Sequence, residues 1–327
     1  MYFHGRSVVI EIMADIRKTT LVWLNLLALG FASWGIASAP DKPQADEDDL
    51  PTLQSMEVRH SIEAPKLTLP HDLTVVPVAK PGEYHVPPRI EDLPDNKYRD
   101  IVEYGRNIFV DTRSYAPRYV GNGLNCSSCH LQEGRKPHAA PLWAAYPLYP
   151  MYRDKSRQVI TFQERIQDCF RFNLNGVAPT LDSSEIKALT AYAQYLSTDI
   201  PVGTLMPGRG FTRIDKLADP SLNNGKVVYE QHCAMCHGGD MLGKKFSNRP
   251  GYMFPPLAGP DSFNKGSGMY KVKTCASFVQ ANMPLGKTDS LTDDEALEAC
   301  VYIFLAPRPW DPRKDWITSF FSPVGEG

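Results

Sequence analysis

The sequence predicts an all-α protein of two tandem domains, with long loops and an extended N-terminal segment. Three observations lead to this prediction. The pattern Cys-x-x-Cys-His occurs twice, in LNCSSCH (124–130) and in EQHCAMCH (230–237). Apolar residues at helical spacing lie before and after each copy, so a unit of helix, motif, loop and helix is repeated. With 327 residues and 43% apolar content, the chain is long enough to form two packed cores.

The first 39 residues follow the order of a secretory signal peptide. Arg17 and Lys18 precede an apolar run at 21–32, and the small residues Ala37-Ser38-Ala39 come at its end. Residues 1–39 are therefore predicted to direct export to the periplasm. The proline at position 40 is a poor neighbour for cleavage, so an uncleaved membrane anchor stays open as an alternative. Either of the methionines at 1 and 13 fits as the start.

Residues 40–97 are rich in proline and acidic side chains, a composition that cannot bury enough apolar surface to fold alone. We interpret this extension as a tether or a strap over the surface. A second break, PVGTLMPGRG, begins the linker 201–212. The predicted domains are therefore 98–200 and 213–310, followed by a tail at 311–327.

The helices that frame the two motifs are predicted from apolar spacing and capping patterns. One helical face before the first motif collects Ile101, Tyr104, Gly105, Ile108 and Phe109. Part of this pattern recurs before the second motif, at Gly225, Val228 and Tyr229. After the motifs, Asp182 with Glu185 and Thr292 with Glu295 form predicted capping boxes, each opening an amphipathic helix.

Cys-x-x-Cys-His is the attachment signature of c-type haem. Two thiols at this spacing can form thioethers with the haem vinyl groups, and the following histidine reaches the iron. The residues are Cys126, Cys129 and His130 in the first copy and Cys233, Cys236 and His237 in the second. A redox pair does not require the histidine, and zinc-binding cysteine pairs lie closer together than these motifs. The sequence therefore predicts two covalently bound c-type haems in two class I cytochrome c-like domains.

Met283 is the candidate for the distal ligand of the second haem iron, although a lone methionine is more often a gap-filling core residue. This methionine lies in the loop Asn282-Met283-Pro284, just before the final helix, where a thioether can reach the haem iron. Met269 and Met253 are weaker candidates for the same position.

The first domain lacks a comparable methionine loop, since Leu174 cannot ligate iron. His138 is too close in sequence to the proximal histidine to reach the other haem face easily, and Met151 lies in a Pro-Tyr-rich loop. Cys169 remains as the candidate, because four of the seven cysteines attach haem and the last two, Cys275 and Cys300, are left as a candidate pair. Such an odd cysteine is either an inert buried thiol or a reactive one.

Charge is informative only locally. The net charge of −2 argues against a general nucleic-acid-binding protein. Between positions 126 and 171, the sequence contains seven basic residues and only four acidic ones. The basic residues are Arg135, Lys136, Arg153, Lys155, Arg157, Arg165 and Arg171. These basic residues either lie on a solvated face or form a group of cations that attracts anions and lowers the pKa of a nearby cysteine.

Four stretches of the chain resemble the dihaem thiosulfate dehydrogenases, the tetrathionate-forming family. They are RIQDCFRFNLNG (165–176), CSSCHLQEGRKPHAAPLWAAYPLYPMYR (126–153), PGRGF (207–211) and ANMPLG (281–286). The resemblance extends from about position 98 to about position 309. It is specific, because Arg-x-x-x-Cys-Phe follows the first haem motif at the distance found in the family.

The resemblance implies a role for each site residue. His130 and Cys169 would ligate the first, catalytic haem iron, and the second iron would have His237 and Met283 as ligands. Arg165 matches an active-site arginine, and Lys155 or Arg157 falls near a second basic position. The chain departs from the family at Asn173, where members have serine, and at Asn282, where some members have a lysine that replaces the methionine. The second departure implies that the second haem stays bound by methionine.

The implied reaction joins two thiosulfates into tetrathionate, in either direction, and passes electrons to a soluble cytochrome or another high-potential acceptor. Two alternatives stay open on the residues alone. One is a dihaem electron-transfer cytochrome without chemistry of its own, which predicts Met151 or no cysteine at the first haem. The other is a sulfur-oxidation cytochrome that has a cysteine-bound haem and depends on a carrier protein.

Overall fold

The computed structural model describes residues 84–153, 157–214 and 219–314, all within the compact unit Leu69–Gly327. The predicted signal peptide, most of the N-terminal extension, Lys155 and the end of the predicted tail lie outside the described residues. Within them, no helix is both long and apolar enough to cross a membrane.

Three longer helices build the first domain: α1 (Lys97–Val110), α2 (Phe162–Asp168) and α3 (Ser184–Leu196). Single helical turns lie between them, at Thr112–Tyr115, Pro117–Tyr119, Cys126–Ser128, Leu131–Gly134, Leu142–Ala145 and Tyr146–Leu148. A short antiparallel hairpin pairs β1 (Met151–Arg153) with β2 (Gln158–Ile160).

The second domain repeats this plan with α4 (Leu222–His232), α5 (Val272–Asn282) and α6 (Asp293–Leu305). Its single turns are Ala234–His237 and Gly268–Tyr270. A second hairpin pairs β3 (Lys244–Lys245) with β4 (Tyr252–Phe254). The predicted all-α class of two cytochrome c-like domains is confirmed, and the two small hairpins lie within its long loops.

The first and last helices of each domain cross at a glycine. A Cβ atom on Gly105 of α1 would lie far inside van der Waals contact with the Ala188 carbonyl of α3. A Cβ atom on Gly225 of α4 would meet the Glu298 carbonyl of α6 in the same way. The absence of a side chain therefore lets each helix pair approach closely, and this packing is the same in both domains.

Two details of the predicted helices differ in the structure. Ser183, not Asp182, is the N-cap of α3, and its hydroxyl accepts from Ile186 N at 3.2 Å. Either residue type can cap a helix, so the choice between neighbours depends on backbone conformation. Ile101 is 45% exposed and Val102 is fully buried instead, whereas Gly105, Ile108 and Phe109 are buried as predicted. The capping box of Thr292 and Glu295 at the start of α6 is confirmed.

The last part of the N-terminal extension packs against the first domain. Ile90 is buried in the domain core, and the Tyr195 hydroxyl donates to Arg89 O at 2.6 Å. Arg135 donates to the carbonyls of Pro87 and Pro88. Backbone carbonyls outside helices and strands need other hydrogen-bond partners, and the guanidinium supplies them here. This segment therefore has the form of the strap that the sequence predicted.

A disulfide between Cys275 and Cys300 joins α5 to α6. The two cysteines are buried in the core of the second domain, with Cα atoms 5.9 Å apart. Disulfides persist in oxidising compartments, so this bond agrees with the predicted export. The other five cysteines are not disulfide-bonded.

Candidate active site

The first haem motif forms a tight turn that is held by neighbouring side chains. Thr112 Oγ1 accepts from Cys126 N at 3.2 Å and lies 3.6 Å from Cys126 Sγ. His130 N donates to Cys126 O, which brings the histidine back over the two thiols. Burial raises the pKa values of Cys126 and Cys129 to about 12, so both are neutral thiols in the absence of haem.

The orientation of His130 is fixed by a backbone carbonyl. Its Nδ1 atom lies 2.6 Å from Ala140 O, and since a carbonyl can only accept, Nδ1 carries the proton. The Nε2 lone pair is then available to a metal, as in metal-ligating histidines that donate through the other ring nitrogen. Burial lowers the pKa of His130, which keeps the ring neutral.

Cys126, Cys129 and His130 line one cavity of about 250 Å³ together with Cys169. Cys169 follows α2 directly and begins a π-helical turn, Cys169–Asn173, which is closed by a bond from Leu174 N to Cys169 O at 3.0 Å. Such turns often occur at functional sites. The donor set, with two free thiols, one oriented imidazole and a further thiol in the same cavity, fits a covalently bound c-type haem.

Arg165 lies one helical turn before Cys169 and lines the same cavity. The coulombic interaction with Cys169 is the main cause that raises the pKa of Arg165, and the Tyr149 side chain adds to it. Burial raises the pKa of Tyr149, which is therefore a neutral hydroxyl within the cavity. One end of the cavity thus places a cysteine sulfur near a permanent cation.

The second domain completes this cavity. Phe263, Ser267 and Met269 all line it, and they belong to a loop at 259–270. The loop docks on the π-helical turn, where Asn264 N donates to Phe172 O at 3.1 Å and Ser267 Oγ donates to Asn173 Oδ1 at 2.7 Å. The first site is therefore built from both domains.

The second haem motif has the same proximal arrangement. His237 Nδ1 lies 2.8 Å from Pro255 O, so Nε2 is available to iron as at the first site. His237 N donates to Cys233 O at 2.9 Å, and neither Cys233 nor Cys236 is in a disulfide. The Tyr229 hydroxyl donates to Gly238 O, which fixes the end of the motif. These residues also fit a c-type haem.

The three methionines considered for the second haem have different environments. Met283 follows α5 directly, is half-buried and packs against the core that contains the disulfide. Met253 is 55% exposed. Met269 lines the first cavity, although the sequence associated it with the second haem. Met283 as the iron ligand stays a prediction, and its position agrees with it.

The basic residues that were predicted near Cys169 are not all brought together. Arg165 lines the cavity, whereas Arg157 is exposed in the β1–β2 hairpin and is not among the residues lining it. Lys155 lies outside the described residues. Met151, the alternative ligand of an electron-transfer cytochrome, is in β1 and does not line the cavity either.

Sequence reasoning missed two polar residues of this cavity. Tyr149 and Arg209 both line it. Tyr149 lies in the YPLYPMY segment, where the sequence singled out only Met151 as a candidate ligand. Arg209 lies in the linker between the domains, as a cation between two glycines in PGRGF, a stretch that also carries the family resemblance.

Comparisons with known proteins agree with this architecture. Residues 115–202 match the family described as SoxA/TsdA, cytochrome c domain, and residues 220–303 match the family described as cytochrome c oxidase, cbb3-type, subunit III. A thiosulfate dehydrogenase of Stutzerimonas stutzeri (strain A1501) is 48% identical over 231 residues, which are 70% of this chain and 75% of the relative. One of Thiomonas intermedia (strain K12) is 38% identical over 300 residues, 91% of this chain and 87% of the relative.

A solved structure is also similar to this chain: the thiosulfate dehydrogenase (TsdBA) from Marichromatium purpuratum in its "as isolated" form. The TM-score is 0.68 at 39% sequence identity, and the match covers 71% of this chain and 51% of that chain. Two cytochrome c domains, each with its own attachment motif, carry two c-type haems. With this extent of identity to proteins of one kind, the chain belongs to the thiosulfate dehydrogenase family of dihaem cytochromes.

Proposed function

We propose that this chain is a thiosulfate dehydrogenase that couples two thiosulfates oxidatively into tetrathionate at its first haem site. The observation that supports this function best is the position of Cys169 and Arg165. Both line the same cavity as the haem-attachment residues Cys126, Cys129 and His130. A thiolate and a cation at one haem site match the needs of a reaction that brings dianions together and removes electrons from sulfur.

The proposed iron ligands are His130 and Cys169 at the first haem and His237 and Met283 at the second. When bound, the two haems supply one-electron acceptors, and thioether ligation gives the second the higher potential. Electrons then leave through the second domain to a soluble cytochrome or another high-potential acceptor. The predicted signal peptide supports a periplasmic location, with membrane contact only if the leader is not cleaved.

In the first step, the Cys169 sulfur, which would give up its bond to the iron, forms a bond with the terminal sulfur of one thiosulfate. The thiolate and the dianion together carry three negative charges, and the product, a cysteine S-thiosulfonate, carries one. Two electrons are therefore released, which the two haems, when bound, would accept, and no proton moves. Among the cations that line the cavity, Arg165 is the closest to Cys169 in the sequence. It stabilises the approaching dianion.

In the second step, the terminal sulfur of another thiosulfate attacks the sulfur that is bonded to Cys169. The new sulfur–sulfur bond completes tetrathionate, and the bond to Cys169 breaks. The thiosulfate dianion and the cysteine adduct carry three negative charges before the step. The tetrathionate dianion and the regenerated thiolate carry three after it. No electrons are exchanged here, so the oxidation is complete in the first step. The second step is reversible, and the potential of the external acceptor sets the net direction.

The test is an assay of the purified holoprotein with thiosulfate and ferricyanide as the acceptor. We expect one tetrathionate for each two thiosulfates consumed and each two ferricyanides reduced. Tetrathionate is measured directly by chromatography, because acceptor reduction alone would also be seen with a plain electron-transfer cytochrome. Haem reduction without tetrathionate would reject the proposed function.

Replacing Arg165 with alanine is expected to raise the KM for thiosulfate by roughly 10- to 100-fold, the usual loss for a charge-assisted hydrogen bond. Haem content and the folded spectrum should not change, because the proposed role is anion binding. The matched control is Arg118→Ala, since Arg118 is exposed and lies against the Tyr119 ring outside the cavity. Equal KM values for Arg165→Ala and the parent would remove Arg165 from the substrate site.

A further inference from the structure

A second arginine lines the first haem cavity from the opposite part of the chain. Arg165 is half-buried in α2, whereas Arg209 is exposed and comes from the linker between the domains. Both act electrostatically on the same tyrosine, Tyr149, and lower its pKa against the effect of burial. Among the described residues, neither arginine forms a salt bridge with a carboxylate. The cavity therefore has one inner cation and one cation at its mouth.

The backbone on both sides of Arg209 is anchored to the first domain. Gly208 O accepts from His138 N at 2.8 Å, and Gly210 O accepts from Ala140 N at 2.7 Å. Ala140 is the residue whose carbonyl orients the proximal histidine, so Arg209 is fixed relative to the haem site.

Gly208 has a φ of 76°, and a Cβ atom there would come within 2.9 Å of Pro137 Cβ and of the Tyr84 ring. A larger residue would not permit this close docking of the linker. The linker is therefore a built part of the cavity mouth, and Arg209 is presented by a rigid backbone.

The proposed reaction needs positions for two anions at once. Once the first thiosulfate is bonded to Cys169, its sulfonate retains a negative charge, and the second thiosulfate must approach it as a dianion. An uncompensated approach of like charges is costly, and a second cation at the mouth lowers this cost. We propose that Arg209 binds the second thiosulfate at the cavity mouth, while Arg165 holds the first at Cys169.

This inference rests on the proposed function and assigns a separate cation to each half of the reaction. In the second half, the thiosulfate bound at Arg209 directs its terminal sulfur at the sulfur bonded to Cys169. Tetrathionate forms as the bond to Cys169 breaks, and the cysteine leaves as a thiolate beside Arg165. In the reverse direction, Arg209 is the first cation that tetrathionate meets.

The test separates the two half-reactions in the holoprotein. With less than one equivalent of thiosulfate, Arg209→Gln should form the cysteine adduct, measured by intact mass, and reduce haem as the parent does. In steady state the same variant should raise the KM for thiosulfate by roughly 10- to 100-fold. Arg209→Lys should recover part of this loss, and Arg118→Gln is the matched control outside the cavity.

Two results with an active parent protein would overturn the assignment. One is an unchanged KM in Arg209→Gln; if the midpoint potential of the first haem also shifts, Arg209 is instead a partner of a haem propionate. The other is loss of adduct formation in Arg209→Gln, because the first half-reaction should not require this residue. A parent protein that forms no tetrathionate would instead reject the proposed function, and this inference with it.

Discussion

Replacing Cys169 with methionine is expected to abolish tetrathionate formation while both haems and the fold are retained. Methionine can coordinate iron through its thioether, but it has no thiolate with which to form a bond to thiosulfate. The substitution therefore separates ligation from chemistry. Loss of a nucleophile reduces turnover by on the order of 10³-fold or more, the largest effect expected for any single residue of this chain.

The measurements are the turnover rate, the haem content by mass and the midpoint potential of the first haem, which should rise when thiolate is exchanged for thioether. Ile160→Met is a suitable control, since Ile160 is buried in β2 of the same domain but does not line the cavity. A Cys169→Met variant that keeps the parent rate and spectrum would show that Cys169 is an inert thiol and that the first haem is not the catalytic centre.

Replacing Gly105 with alanine is expected to destabilise the first domain by about 3 kcal/mol, at the upper end of overpacking effects. The added methyl group would meet the Ala188 carbonyl, which is backbone and cannot rotate away. The helices α1 and α3 would have to separate, which loosens the core on which the first haem motif rests. Chemical denaturation followed by far-UV circular dichroism measures the loss.

Gly239→Ala is the matched control, because a Cβ atom on Gly239 would have open space around it. Gly225→Ala is the equivalent change in the second domain and should destabilise α4 and α6, since its Cβ atom would meet the Glu298 carbonyl. If Gly105→Ala were as stable as Gly239→Ala, the close helix crossing would not be a requirement of the fold.

The fold could be predicted from the sequence because its determinants are local. The two haem motifs are contiguous, and Thr292 and Glu295 form their capping box within one turn. The errors are local too. Asp182 and Ser183 are both good capping residues, and only the backbone conformation decides between them. At the start of α1, Val102 replaces Ile101 on the buried face, a difference that apolar spacing does not resolve because both are apolar.

The site residues could be predicted only where they lie close together in the sequence. Cys169 and Arg165 are four residues apart, about one helical turn, so the same short stretch identifies both. Arg209 could not be found in this way, because it reaches the cavity through hydrogen bonds between distant segments. The loop of the second domain could not be predicted either, because it is held by bonds such as that from Asn122 Nδ2 to Ser262 O, two residues that are 140 positions apart in the sequence. Tertiary contacts of this length leave no periodic signal in a sequence.

The docking of the 259–270 loop on the first domain means that the two halves are not interchangeable modules. A graft that replaced the second half with another cytochrome would supply a haem of its own but remove Phe263, Ser267 and Met269 from the first cavity. The separated first half would open that cavity to water on one side. Substitutions in one half are therefore constrained by the other, and any redesign of the second half has to preserve this loop.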